Sequence, residues 1–131
     1  MLHAQVATKY RQSNVRTVTR EKLLLMLFDG AVGFAKASGR RLEAGDIVGF
    51  REYLLKTQAI VSEFLSTLDM KAGGEIADNL KQIYLFLIDH MNTANSSLRG
   101  KNMEDVARIL ATLKDGFEEA VRFAPSGGRS D

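Results

Sequence analysis

The chain has one proline, at position 125. Up to that point nothing forces a helix to break, because proline is the residue that removes an amide donor and clashes with the preceding turn. Apolar residues recur at intervals of three and four along this stretch, the period of an amphipathic helix. No segment alternates with the period of a strand, so the chain is predicted to be all-α. The first helix opens with Thr19 as N-cap and Glu21 in its first turn, where the helix dipole favours an anion. Its inward stripe is Leu24, Leu27, Phe28, Ala31, Ala35 and Leu42, and Gly39 to Arg41 mark its end. Asp46 caps the second helix, which turns Ile47, Phe50, Leu54, Val61, Leu65 and Leu68 inward. Asp69 to Gly74 read as a connection. The third helix begins near Glu75 and carries Ile76, Leu80, Ile83, Tyr84, Leu87, Met91 and Leu98 on one face. Asn102 and Asp105 resemble a capping box for a fourth helix, with Met103, Val106, Leu110, Leu113, Phe117 and Val121 inward. Short connections make neighbouring helices antiparallel, so the expected fold is an up-down four-helix bundle over residues 19–124. An N-terminal arm (1–18), flexible or short-helical, precedes it, and a disordered tail (125–131) follows.

Composition narrows the function. The chain has 131 residues, 45% of them hydrophobic and 26% charged, a balance that suits one water-soluble domain with a real core. With no cysteine there is no disulfide, no thiolate metal site and no cysteine nucleophile. No apolar run reaches the roughly 18 residues of a membrane span, and the N-terminus lacks a signal-peptide pattern. The lack of cysteine fits a cytosolic protein. A net charge of +2 is too small to argue for nucleic acid. The positive charge crowds the first segment at Lys9, Arg11, Arg16, Arg20 and Lys22, as in a solvated basic arm.

The first three helices carry more apolar surface than one inward face requires. Around Leu23 to Phe28 the apolar arc covers about 260°, against the roughly 100° that a surface helix needs. Leu23, Met26, Gly30, Phe34 and Ala37 form a second stripe on the first helix. Tyr53, Ile60 and Phe64 lie beside the core face of the second helix, and Leu85, Phe86 and Ile88 outside that of the third. The fourth helix has nothing apolar to spare. Contiguous exposed apolar surface marks an interaction site, and a groove of this kind takes an amphipathic or extended segment. Met26 suits such a groove by being adaptable and Gly30 by allowing close approach.

Two segments carry a family resemblance. One is Glu21-Lys22-Leu23-Leu24-Leu25-Met26-Leu27-Phe28-Asp29-Gly30-Ala31. The other is Gly73-Gly74-Glu75-Ile76-Ala77-Asp78-Asn79-Leu80 followed by Ile83-Tyr84. In this order and at this spacing the chain resembles the flagellar secretion chaperone (FliS) family from Tyr10 to about Phe117. The resemblance implies a cytoplasmic, non-enzymatic chaperone with an antiparallel helical bundle and no cofactor or metal. Its partner would be the disordered C-terminal segment of flagellin, kept from premature polymerisation and presented to a component of the export gate. Tyr10 matches the family's N-terminal tyrosine, which contributes to flagellin binding. Three positions depart from the family pattern: Thr19-Arg20 stands where a proline is usual, Leu85 where an Asp is common, and Phe117 where Trp is common.

On this reading Leu23, Met26, Leu27, Phe34, Ile60, Phe64, Ile76, Leu80 and Ile83 anchor the client. Gly30 lets it approach, and Asp29, Asn79 and Tyr84 supply polar contacts. The arm, through Val6, Tyr10 and Val15, would cover the empty groove as a lid, in which case deleting residues 1–16 changes client affinity. Competing readings have less behind them. A phosphotransfer bundle would use His90, yet Met91 to Asn95 supply no cation within a turn. A di-iron bundle needs Glu-x-x-His pairs, and neither His3 nor His90 follows a Glu by three. Gly73-Gly74 lacks the Lys-Ser/Thr of a phosphate loop. The spare stripe would also serve a self-associating structural protein, as a monomer in exchange with a weak homodimer.

Overall fold

The computed structural model describes residues 19–123. It contains four helices: α1 (Arg20–Glu43), α2 (Ile47–Ser66), α3 (Met70–Ser97) and α4 (Gly100–Arg122). At 1.5 Å per residue they are about 30 to 42 Å long. Each packs antiparallel against the next and α4 returns to α1, which closes a four-membered ring. The helix order and the all-α bundle agree with the sequence reading.

Side chains placed at the helix starts explain most of the boundaries. Thr19 Oγ1 accepts from the Lys22 amide at 3.0 Å, and Asp46 Oδ1 accepts from Gly49 at 2.9 Å. Each satisfies an amide that the helix leaves without a partner. Two boundaries correct the sequence reading. α3 begins one turn earlier than Glu75, because Asp69 Oδ1 accepts from Lys71 and Ala72 and caps a turn at Met70. That turn breaks at Gly74, whose φ of 53° and ψ of −130° suit a residue without a Cβ, and the helix then runs on. Asn102 does not cap α4, which starts at Gly100 behind Arg99; its amide nitrogen instead donates to the His90 carbonyl at 3.1 Å.

Phe50, Leu54, Val61, Leu87, Met91, Met103, Val106 and Leu110 fill the centre and are sealed from water. α1 contributes mainly small buried residues, Ala31, Ala35, Ser38 and Gly39, so its neighbours α2 and α4 come closest to it. At Gly39 a Cβ would lie 3.5 Å from the Gly100 carbonyl, which is how near the two backbones are. The buried Ser38 hydroxyl donates to the Phe50 carbonyl at 2.8 Å, which spares the core an unsatisfied polar group. One aromatic cluster draws on all four helices. Phe28 meets Phe64 at 4.5 Å between ring centroids and Phe117 at 6.2 Å, and Phe64 meets Tyr84 at 5.7 Å. Ile76, Ile47 and Leu98, placed on inward stripes by periodicity, are exposed instead. Ile47 and Leu98 sit at helix ends, where the ring of helices no longer covers them.

Candidate functional site

The four seams of the bundle are closed to different degrees. Between α2 and α3, Arg51 Nε donates to Asn95 Oδ1 and Gln58 Nε2 to Asn92 Oδ1, both at 2.8 Å. Between α1 and α4, Lys114 Nζ meets Asp29 Oδ1 at 2.7 Å, and this carboxylate raises the pKa of the lysine. Between α1 and α2, Phe34 packs on Tyr53 with centroids 5.9 Å apart, and Lys56 lies over both rings. Among the described residues, polar cross-links pin the α3/α4 seam at one end only. There His90 Nε2 lies 3.1 Å from Asp105 Oδ2 while Asn102 holds the His90 carbonyl. The His90 hydrogen bond, and behind it Arg108, hold the Asp105 carboxyl below the usual carboxylate range.

Past this clamp the seam opens into a groove of about 450 Å³. Its walls are Ile83 and Phe86 of α3 and Ile109 and Leu113 of α4, with Gln82, Arg108 and Thr112 on the rim. Phe86 is 50% exposed, and its ring is held at the closed end by stacking on His90 at 5.0 Å. Helical spacing carries the α3 wall on through Leu80, Asn79 and Ile76, which lie six, seven and ten residues before Phe86 on the same side. Ile76 is 71% exposed, Asn79 is exposed and Leu80 half-buried. The α4 wall carries on through Gly116, where a Cβ would meet nothing within 4 Å. Large side chains explain the gap. α3 buries Tyr84, Leu87 and Met91 and α4 buries Met103, Val106 and Leu110, whereas α1 buries mostly small residues, so α3 and α4 pack less closely on each other than α1 packs on its neighbours.

The residues expected to form one groove fall into three groups. Ile83 lines the α3/α4 groove, and helical spacing sets Ile76, Asn79 and Leu80 on the same side of α3. Leu23, Met26, Gly30 and Phe34 form a half-exposed strip on α1 beside α2, across the ring from it. Leu27 is half-buried against the core. Ile60, Phe64 and Tyr84 are only 2%, 4% and 4% exposed, so in this state they offer no surface to a client. Phe64 and Tyr84 belong to the aromatic cluster, and Ile60 lies under Gly30. Burial pushes the Tyr84 phenol up to about 12. Asp29 is occupied by Lys114, and Tyr10 lies outside the described residues. His90 presents Nε2 to a carboxylate, which would repel an incoming phosphoryl group.

Sequence reasoning missed half the groove. α4 was expected to keep no apolar residue in reserve, yet Ile109 and Leu113 are half-exposed and form a wall. Ile109 sits one position off the stripe of Met103, Val106, Leu110 and Leu113, and that offset was the available signal.

The model of the family described as flagellar protein FliS matches residues 2–124. The chain belongs to the FliS family. It is 32% identical over 118 residues to the flagellar secretion chaperone FliS of Salmonella typhimurium, covering 89% of this chain and 85% of that protein. It is 28% identical over 107 residues to the Vibrio cholerae FliS, covering 82% and 79%. To the Bacillus subtilis FliS it is 25% identical over 115 residues, covering 88% and 85%. These proteins are named for chaperoning, a binding role rather than a catalytic one. In this FliS-family chain no helix among the described residues is long and apolar enough to cross a membrane, and no group of His, Cys, Asp and Glu there could hold a metal ion.

Proposed function

We propose that this chain is a cytoplasmic, non-enzymatic chaperone of flagellar export that binds the C-terminal segment of flagellin in the α3/α4 groove. The observation that carries this is the open seam itself. Ile83, Phe86, Ile109 and Leu113 line it, and the exposed Ile76 and half-buried Leu80 lie on the same side of α3, so the monomer leaves apolar surface uncovered along this seam. A segment disordered in its free state must be ordered as it binds, at a cost of about 2–5 kcal/mol or more. Micromolar affinity corresponds to about −8 kcal/mol net, so the client needs a long apolar contact rather than a few hydrogen bonds. The side of α3 from Ile76 to Phe86, about three turns, with Ile109 and Leu113 of α4 facing its end, provides such a contact. The α1 strip of Leu23, Met26, Gly30 and Phe34 stays open on the opposite side while the groove is filled. It leaves a second apolar face for an export-gate component to meet the loaded chaperone.

Calorimetric titration with the flagellin C-terminal segment tests the reading. Binding at micromolar affinity or tighter, abolished by Ile83→Asp in a protein that keeps its helical circular dichroism, is the expected result. No binding by the unaltered chain would overturn it. Light scattering with and without the segment separates this from a structural dimer, which the segment would not dissociate.

A further inference from the structure

His90 stands behind the α3/α4 groove rather than in its wall. Neither it nor Asp105 lines the opening, whose α3 side ends at Phe86. Phe86 and His90 are four residues apart on one face of α3, and their rings stack with centroids 5.0 Å apart and 22° between planes. The imidazole is in turn held from α4. Its Nε2 lies 3.1 Å from Asp105 Oδ2, and both side chains are only 23% exposed. The other Asp105 oxygen accepts from Arg108 at 3.0 Å, so the carboxylate is fixed from two sides. The backbone under the imidazole is fixed as well, because the buried Asn102 donates to the His90 carbonyl. These contacts run as a chain from α4, through His90, to a groove ring that is half in water.

We propose that His90 is a positioning residue for the client site: anchored by Asp105, it fixes the Phe86 ring in the groove wall, and its protonation sets how firmly. This rests on the chaperone reading above. A phenylalanine on an open helix face turns among staggered rotamers, and binding must then immobilise it. Immobilising one side chain at an interface costs about two- to tenfold in affinity, and a ring already held by a stacking partner avoids most of that loss. Protonation enters through the ring nitrogens. A neutral imidazole carries one N–H: the Nε2–H tautomer donates to Asp105, whereas the Nδ1–H tautomer turns a lone pair toward the carboxylate. The imidazolium donates from Nε2 in every case, and its charge is attracted to the face of Phe86. The charged groups around the imidazole are Asp105 and Arg108, with Lys101 one turn before Asp105 on α4 and Asp89 next to His90 on α3. Asp105 is the one that contacts it, and its carboxyl is held below the usual carboxylate range. It therefore stays ionised across the pH span in which an imidazole gains its proton. Lowering the pH from 8 to 6 tightens the hold on Phe86 and raises client affinity.

A double-mutant cycle tests this, read by calorimetry with the full chain and the flagellin C-terminal segment. At about pH 6, where the imidazole is charged, His90→Gln is expected to weaken binding about three- to tenfold in a protein that keeps its helical circular dichroism. In a Phe86→Ala background the same substitution is expected to change affinity less than about twofold, since the ring it positions is gone. An equal loss in both backgrounds, or no loss in the parent, would overturn the inference and leave the chaperone reading standing. The parent is also expected to bind about two- to threefold tighter at pH 6 than at pH 8, beyond the change that the same pH step makes in His90→Gln, which carries any titration of the segment itself. Equal pH responses in the two proteins would overturn the role given to protonation. Asp105→Asn keeps an oxygen for Nε2 and removes the charge that favours the imidazolium. It is expected to shrink the pH response with His90 intact, and an undiminished response would count against the inference even if His90→Gln failed to fold. Without client, the ring signals of Phe86 in nuclear magnetic resonance are expected to move between pH 8 and pH 6 in the parent and to stay put in His90→Gln. Ring signals in the parent that ignore pH would overturn the coupling. Failure of the parent chain to bind the segment would overturn the chaperone reading and this inference with it.

Discussion

Replacing Phe86 by alanine separates the groove's contribution to binding from its contribution to folding. A phenylalanine offers about 200 Å² of surface, and the half that Phe86 leaves exposed amounts to about 100 Å². At about 25 cal/mol per Å², covering that half with client contributes at most about 2.5 kcal/mol. Ordering of the ring and partner reduces this, so the expected loss is about 1.4 to 2.5 kcal/mol, or roughly 10- to 60-fold in Kd. The other half already packs on His90 and the groove wall. Its removal should lower the stability of the unliganded bundle by about 1–2 kcal/mol, less than the 5–15 kcal/mol typical of a domain. Calorimetry with the flagellin segment reads the first effect and urea unfolding the second. Val48→Ala is the control, because Val48 is 79% exposed on the first turn of α2 and lies outside the groove. If Phe86→Ala binds within twofold of the parent while Val48→Ala binds markedly worse, the groove is not the client site.

Three further outcomes follow from particular residues. Tyr84 has a folded pKa of about 12 against an ordinary value of 10, raised by burial. Its neutral form therefore contributes stability that is fully present below pH 10 and lost as pH rises toward 12. Tyr84→Phe should flatten that alkaline decline in a series of thermal melts, and an unchanged pH profile would refute the assignment. Gly30 lies inside α1, where a Cβ would meet only Ile60 Cδ1, at a comfortable 3.9 Å. Gly30→Ala should therefore raise stability by about 0.5–1 kcal/mol from helix propensity alone, and a lower unfolding midpoint would contradict the packing described. Gly74→Ala places a Cβ at φ 53° and should cost about 1–2 kcal/mol in urea unfolding, whereas Gly33→Ala, in a helix with open space around it, should not.

Periodicity and capping chemistry were enough to read four helices, because each amphipathic stripe and each capping side chain is a local property. Thr19 and Asp46 are examples: an oxygen three residues ahead of an unpaired amide needs no tertiary partner. Asn102 shows the limit of that logic. It has the right chemistry for a cap, but α4 already starts two residues earlier, and the Asn102 Nδ2 donates instead to the His90 carbonyl across the seam. Ile76 and Phe64 show the same limit for burial. Both lie on wide apolar faces, and nothing local says that Phe64 meets Phe28 and Tyr84 while Ile76 stays exposed to water.

The sequence alone determined the helical class, the order of the helices, the family and the existence of spare apolar surface. These depend on composition and on spacing along the chain. Which side of the bundle stays open was decided only in three dimensions. It depends on side-chain volumes on different helices: the alanines, serine and glycine of α1 draw its neighbours in, and the bulk between α3 and α4 keeps them apart. The stripes that looked like one groove in sequence thus became two faces on opposite sides, because a ring of four helices seats α1 across from the α3/α4 seam.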